Sequence, residues 1–288
     1  MEKRFKVKPI LLDFIKIIGF IISILLLRQL IFIPIGALSS KYWSKYDGRG
    51  LNEPWYLSSS LAIFLVTILV CFIFVKFIDK KNWSYLRLKS DNKLKLFLLG
   101  ILVSLAIVLF FTGGLILFGA VVITIEPKSL ELILFYLILA LIGTFAVVLN
   151  EELISRGYVL KTLENHSGAI FAVILSSLLF SLFHIFNPNT SLLGFLNVFL
   201  MGCLVALVCI YYNNLWVPIG LHFGWNFSLY LFNLPVSGHQ YPNPIFTLKY
   251  NAYSLLSGSR FGPEDSIVLT ILLSIIVAYI FMKLSKRA

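Results

Sequence analysis

Eight long apolar runs dominate this sequence, and they constrain its fold more than any other feature. Most of the runs approach or exceed the roughly 20 residues that a helix needs to cross about 30 Å of hydrocarbon. Strand-like alternation is absent, so we predict helices and not a barrel, because a helix satisfies its own backbone hydrogen bonds in lipid. The predicted spans lie near 12–37, 56–78, 96–119, 131–153, 169–187, 192–212, 215–233 and 266–283.

The composition agrees with a membrane protein. Hydrophobic residues make up 59% of the 288 positions and the mean hydropathy is +0.93, whereas an ordinary soluble domain is roughly 45–50% apolar. No segment between the runs is long enough for a soluble domain. We therefore predict an all-α polytopic membrane protein, a bundle of about eight transmembrane helices, in which residues 1–288 form a single integral membrane domain.

The basic residues are distributed unevenly between the predicted loops. The net charge is +11, and most of the 24 lysines and arginines lie near the two termini or just after the second span. By the positive-inside tendency, we expect a multi-pass plasma-membrane protein with both termini in the cytoplasm. This asymmetry explains the net positive charge, so we expect membrane lipid and not nucleic acid as a partner. The apolar run after "MEKRFKVK" exceeds a secretory signal, so it is read as a retained first helix.

Polar side chains interrupt the central spans at a few positions. Glu151 and Glu152 close the fourth span, His184 lies in the fifth, and His222 with Asn226 lies in the seventh. If the fourth and fifth helices form a hairpin turning at "ENHSG", and the sixth and seventh turn at "YYNNLW", helix rise places these groups at similar depths. We therefore expect them to converge near the middle of the bilayer, where ionisable residues are by default a functional hypothesis.

Helical spacing divides the two acids. Glu152 and Arg156 are four residues apart with the acid first, which is the favourable order for an ion pair. Glu151 is displaced by about 100° around the helix axis, so it is free to point at a cavity. Two more pairs share this spacing, Phe180 with His184 and His222 with Asn226.

These groups are the parts of a hydrolase. A carboxylate in a dry pocket makes a good general base, and an imidazole opposite it can share the water that it activates. An amide and a second imidazole can donate to a developing oxyanion. Glutamate and histidine are also ordinary zinc ligands, and the spacing leaves a metal site open, although no H-E-x-x-H occurs. Taken singly, each histidine is also consistent with packing, and the acids with a snorkelling pair at a helix end.

Other polar positions are expected to have no catalytic role. We expect Arg28, inside the first span, to snorkel or to pair with a lipid phosphate. His166 in the hairpin turn and His239 in an outer loop at about 234–265 are expected to be solvated. The cysteines fall inside apolar spans and are expected to pack as small apolar residues; they are Cys71, Cys203 and Cys209.

Three motifs occur in order within residues 145–230. "EELISR" fits E-E-x-x-x-R, "FSLFH" fits F-x-x-x-H, and "HFGWN" fits H-x-x-x-N. Together they resemble the CAAX prenyl protease and bacteriocin-processing family, also called CPBP or Abi. The resemblance implies an eight-helix intramembrane endopeptidase with a catalytic core at about 131–233 and a conical catalytic cavity open to the cytoplasm.

The resemblance also implies roles for individual residues. Glu151 and His184 would activate water, His222 and Asn226 would form the oxyanion site, and Glu152, Arg156 and Phe180 would support the geometry. The family was first described as metalloproteases and later as metal-free glutamate proteases, and we favour the metal-free form without a cofactor. If zinc is used, its ligands would be Glu151, His184 and His222.

The substrate and the alternatives to proteolysis stay open at this point. A chain rich in Ile, Lys, Leu and Asn looks bacterial. The family includes enzymes for prenylated C-termini and relatives linked to bacteriocin maturation, so we expect a membrane-associated peptide of prenylated or bacteriocin type. One alternative is a non-proteolytic protein of the same fold that gives bacteriocin self-immunity or regulates a partner. Another is a transporter in which Glu151 and His184 relay protons.

Overall fold

The computed structural model describes residues 7–43, 53–124, 127–240, 246–250 and 255–286. Over these residues the chain is an all-α polytopic membrane protein, as predicted. Its helices are α1 (Val7–Trp43), α2 (Glu53–Ile73), α3 (Lys93–Leu117), α4 (Leu130–Glu152), α5 (Leu160–Ser167), α6 (Ala169–Leu182), α7 (Leu192–Tyr212), α8 (Trp216–Leu231) and α9 (Ile267–Ser285). Its strands are β1 (Val121–Thr124) and β2 (Thr247–Tyr250).

Within the described ranges, 6 helical segments are long and apolar enough to cross a membrane. They correspond to α1, α2, α3, α4 continued through α5, α7 and α9. The fifth and seventh predicted spans are helical too, but α6 has 14 residues and α8 has 16, which is short of a full crossing at about 1.5 Å per residue. Most of α8 is buried, so neighbouring helices and not lipid surround it.

The helix boundaries follow from local capping chemistry. The hydroxyls of Ser129, Ser191 and Ser266 accept hydrogen bonds from backbone N–H groups in the first turns of α4, α7 and α9. Asn213 ends α7 in the left-handed conformation, with φ +45°. Gly168, with φ +82°, separates α5 from α6, so the chain reverses inside the predicted "ENHSG" turn.

α8 packs on α3 with an unusually close approach of the two backbones. A Cβ on Gly220 would lie 2.1 Å from the Phe97 carbonyl oxygen, and one on Gly100 would lie 2.4 Å from the Val217 carbonyl oxygen. Small residues permit such contacts between membrane helices. The contact fixes the position of α8, the helix that carries His222.

The loops gather at two opposite ends of the bundle. Asp13 in α1 bonds to His166 at 2.6 Å, so the N-terminal part of α1 lies beside the turn between α5 and α6. The Ser191 hydroxyl donates to Asp265 at the other end, so α7 and α9 begin there and α9 runs back toward the end of the bundle at which α1 begins. Both described chain ends therefore lie at one end of the bundle. His166 was expected to be solvated; its side chain is 45% accessible, and one ring nitrogen bonds to Asp13.

The opposite end carries a short sheet that the sequence pattern does not indicate. β1 pairs antiparallel with β2, with Val121 opposite Tyr250 and Thr124 opposite Thr247. Each strand has only 4 residues, too few for a clear alternation of polar and apolar positions. The pairing ties the segment after α3 to the long loop between α8 and α9.

Candidate active site

A π-helical segment, Leu153–Val159, continues α4 directly after the two acids. All 7 of its residues are buried, and π-helical turns frequently occur at functional sites. Within it, Arg156 Nη1 donates to Glu152 Oε1 at 2.8 Å, and the two side chains are 1% and 0% exposed. The predicted ion pair is present, inside the protein and not at a lipid-facing helix end.

His222 contacts both acids. Its Nδ1 lies 2.9 Å from Glu152 Oε1, and its Nε2 lies 3.6 Å from Glu151 Oε2. Because an ionised carboxylate only accepts hydrogen bonds, Nδ1 carries the proton and Nε2 faces Glu151. The second oxygen of Glu152 is buried without a hydrogen-bond partner. Sequence spacing grouped His222 with Asn226, and it did not indicate that His222 is the imidazole beside Glu151.

Phe180 and His184 form the second side of the site. α6 ends at Leu182, so His184 lies in the following turn. The prediction that it lies within a helix is wrong. Its Nδ1 donates to the Phe180 carbonyl oxygen at 2.8 Å, which leaves Nε2 for the cavity. The Phe180 ring lies 4.3 Å beneath the Arg156 guanidinium and 5.9 Å from the His222 ring. Phe180 therefore packs between the cation and both histidines.

One cavity of about 460 Å³ joins these groups. Glu151, His184, His222 and Asn226, the four residues predicted to be catalytic, all line it. Its size is in the usual range for binding sites, about 300–1,000 Å³. Arg156 and Phe180 line it as well, whereas Glu152 lies behind its wall. α4, α8 and the turn after α6 bring the carboxylate, the imidazoles and the amide to a shared chamber.

The cavity also includes loop residues from the end of the bundle opposite the termini. These are Asn187, Val236, Ser237, His239 and Glu264. Cytoplasmic termini would put these loops at the outer end of the bundle. The orientation of the termini and the opening of the cavity to the cytoplasm both stay predictions.

The residues of this site lie within a segment that matches a known protein family. Residues 132–228 match the model of the Rce1-like family, described as type II CAAX prenyl endopeptidase Rce1-like. The central segment of this chain is therefore similar to that family. The match contains all three motifs and confirms the resemblance based on them. No curated protein matches the chain. The Rce1-like segment runs from the start of α4 to near the end of α8, so it supplies every residue that the motifs predict.

Helices outside the Rce1-like segment also reach the site. Arg28 in α1 lines the cavity, and its Nη2 donates to Asn150 Oδ1 at 2.8 Å. The Thr67 hydroxyl in α2 donates to the same oxygen at 2.5 Å. The prediction that Arg28 snorkels or binds a lipid phosphate is wrong, because the side chain is held beside the residue that precedes Glu151. Only a contact between distant helices reveals this, so no sequence signal marks it.

Glu264 is a second carboxyl group in the cavity wall, beyond the Rce1-like segment. It accepts hydrogen bonds from Ser237 N at 2.6 Å and Trp225 Nε1 at 3.2 Å. Burial raises the pKa of Glu264 to about 7, and these donors together with nearby His222 oppose the rise. Asn197 of α7 donates to the Glu264 carbonyl oxygen at 2.8 Å. In the sequence, Glu264 looks like an ordinary acid at the start of a helix.

His239 also lines the cavity and is half-buried, so it is less exposed than the expected solvated loop position. Burial lowers the pKa of His239, the nearby His184 lowers it further, and Glu151 acts in the opposite direction. Its neighbours in the sequence, "VSGHQYP", suggest only a turn.

The described side chains do not form a metal site. Among the residues that the structure describes, no group of three His, Cys, Asp or Glu side chains is arranged to hold one. Glu151, His184 and His222 share the cavity without forming such a group. A structural or catalytic zinc site needs three or four protein ligands at about 2 Å from the metal, and the described side chains do not provide such a set.

Proposed function

We propose that this protein is an intramembrane endopeptidase that hydrolyses a membrane-associated peptide with a water activated by Glu151. The match of its central segment to the Rce1-like family model supports CAAX-type intramembrane protease activity in general. One observation carries the proposal: Glu151 Oε2 lies 3.6 Å from His222 Nε2. His184 and Asn226 line the same cavity. Hydrolysis of a peptide bond needs a general base that activates water and donors that stabilise the oxyanion, and these side chains can supply both.

The proposed reaction uses the protein's own side chains. Glu151 takes a proton from water as the oxygen attacks the peptide carbonyl, and His184 Nε2 orients that water. Asn226 and His222 form the oxyanion site, in which Asn226 donates from its side-chain amide and His222 is held in place by the hydrogen bond from its Nδ1 to Glu152. Glu152 acts through His222 and Arg156, because its carboxylate bonds to both and has no place in the cavity lining.

The substrate is proposed to be a prenylated or bacteriocin-type peptide. Membrane lipid surrounds the protein in this proposal, and nucleic acid is not a partner. Apolar side chains of α1, α7 and α9 line the cavity beside the polar groups, among them Ile24, Met201 and Leu269. Such a lining suits an apolar chain attached to a peptide. The protein is placed in a bacterial plasma membrane with both termini in the cytoplasm, as its basic residues favour.

The test uses purified protein in lipid nanodiscs with two kinds of peptide, a prenylated tetrapeptide-tailed reporter and leader-bearing bacteriocin precursors. Wild type is expected to release fragments from at least one kind, and mass spectrometry identifies the cleaved bond. Glu151→Gln is expected to lower the rate by at least about 10²-fold, since it removes the general base. Parallel reactions with a chelator are expected to run at the same rate.

The matched control is Glu131→Gln, an exposed acid in the first turn of the same helix. It is expected to cleave at the wild-type rate. Equal rates for wild type and Glu151→Gln would contradict the assigned base. If wild type cleaves neither kind of peptide, the non-proteolytic binding function replaces the protease.

A further inference from the structure

The loop at residues 234–240 holds a histidine against the cavity. Val236 and His239 pair across a tight turn, with Val236 N donating to the His239 carbonyl at 2.8 Å and His239 N donating back at 2.9 Å. Gly238, at φ +85°, makes the turn, which requires a backbone conformation that glycine adopts without strain. The backbone around His239 is therefore fixed by its own hydrogen bonds.

Neighbouring segments hold the same loop from two sides. Asn187 Nδ2 donates to the Ser237 carbonyl at 3.0 Å, and Gly238 N donates to the Phe261 carbonyl at 2.7 Å. A Cβ on Gly238 would lie 1.9 Å from the Pro188 carbonyl oxygen, so the loop backbone sits directly against the turn that follows α6. That turn carries His184. The two histidines are therefore presented to the cavity by segments that are bonded to each other.

The His239 ring differs from the other two imidazoles of the site. Nδ1 of His184 and Nδ1 of His222 are each committed to a hydrogen bond. Neither ring nitrogen of His239 bonds to a side chain or backbone group in the described part of the chain, although the residue lines the cavity together with Glu151. An imidazole with both nitrogens open can accept a proton at one and donate from the other.

We propose that His239 is a further catalytic residue, which carries the proton from Glu151 to the leaving amine. The inference rests on the proposed protease function and adds a step to it. Glu151 gains one proton when water attacks, and the broken C–N bond leaves an amine nitrogen that needs one. His239 takes that proton from Glu151 through water in the shared cavity and delivers it to the nitrogen as the bond breaks. One water is consumed, and both side chains return to their starting protonation states.

A proton carrier is needed most when the leaving group is a poor one. An amine cannot leave without a proton, whereas a thiolate leaves readily without one. We therefore expect His239→Gln to slow hydrolysis of the peptide bond by about 10²-fold, in the range typical of general acid catalysis. The same variant is expected to hydrolyse a substrate with a thioester at the cleaved bond at close to the wild-type rate.

The experiment measures kcat and KM for the peptide and its thioester analogue with wild type, His239→Gln, His239→Gly and a control. Added imidazole is expected to restore peptide hydrolysis to His239→Gly, which shows that the variant is folded. The matched control is His166→Gln, since His166 bonds to Asp13 at the opposite end of the bundle. It is expected to hydrolyse both substrates as wild type does.

The outcomes separate the two proposals. If His239→Gln cleaves the peptide at the wild-type rate, the proton-carrier role is wrong while the protease function stands. Equal losses on both substrates without rescue by imidazole would mean that His239 only holds the loop in place, which also overturns the role. If wild type hydrolyses neither substrate, the protease function fails and the proton carrier fails with it.

Discussion

Glu152 shows how this protein keeps a charge away from water. Its carboxylate is fully buried and accepts hydrogen bonds from Arg156 and His222 on the same oxygen. Burial of an ionised group costs several kcal/mol unless a partner and hydrogen bonds offset it. Here the guanidinium supplies the opposite charge and the imidazole supplies a directed donor. The same carboxylate therefore stabilises the helix and sets the tautomer of His222.

At the residue scale, Glu264→Gln tests the other buried carboxyl group. The folded-state pKa of Glu264 is about 7, above its ordinary value of 4.5, so its contribution to stability is complete below pH 4.5 and is lost as pH rises through 7. Because glutamine does not titrate, wild type should lose stability relative to the variant over this range, by on the order of 3 kcal/mol. Thermal unfolding in detergent at pH 5 and pH 8 measures the difference.

The control for Glu264 is Asp91→Asn, which removes an exposed acid from the loop before α3. Its stability relative to wild type is expected to stay constant between the two pH values. A constant difference for Glu264→Gln as well would show that the Glu264 carboxyl has an ordinary pKa in the folded protein.

At the scale of elements, the close contact between α3 and α8 determines where His222 stands. Gly220 and Gly100 allow the two backbones to meet, and Gly224 on the next turn would place a Cβ 2.0 Å from the Ser104 hydroxyl oxygen. α8 is too short to be positioned by the thickness of the bilayer alone. Its depth and rotation, and hence the direction of His222, depend on this packing.

Gly220→Ala is therefore expected to separate α8 from α3. The added methyl group would overlap the Phe97 carbonyl oxygen, and overpacking of this kind costs typically about 1–3 kcal/mol. We expect a lower melting temperature and a lower kcat for proteolysis, because His222 moves with its helix. Gly113→Ala is the control, since a Cβ there meets nothing within 4 Å, and helix propensity favours alanine by up to about 1 kcal/mol. Equal melting temperatures for the two variants would contradict the packing role of Gly220.

At the scale of the whole molecule, the bundle has two ends with different contents. One end holds both described chain ends and the basic segment between α2 and α3, and the other holds the loops that line the cavity. The density of lysine and arginine favours the cytoplasm for the first end.

Labelling of single cysteines tests the arrangement of the ends. The native cysteines are free and buried, as predicted, so they can be replaced by alanine to lower the background. The side chains of Lys89, Lys286 and Arg260 are all exposed, Lys89 and Lys286 at the end of the bundle with the described chain ends and Arg260 at the opposite end. Lys89→Cys and Lys286→Cys are therefore expected to react with an impermeant maleimide only in inverted vesicles, and Arg260→Cys only in intact cells. Reaction of all three from the same side would contradict the fold.

Local features of this protein were predictable and long-range ones were not. Apolar runs, the spacing of Glu152 and Arg156, and the turn at Gly168 are properties of neighbouring residues, and the helices follow them. The lengths of α6 and α8 were overestimated because apolar composition does not distinguish a membrane span from a helix buried among other helices. His184 was placed in a helix because the run continues past its last turn.

Hydropathy and helical spacing are local properties, and they suffice to predict that the chain forms apolar helices and which central side chains can do chemistry. They do not predict that His222 faces both acids, that Arg28 reaches Asn150, or that His239 and Glu264 line the cavity, which the packed structure shows. These groups are far apart along the chain; His222 and Glu152, for example, are 70 residues apart. Their meeting depends on how helices and loops pack around a shared space, which no local pattern contains.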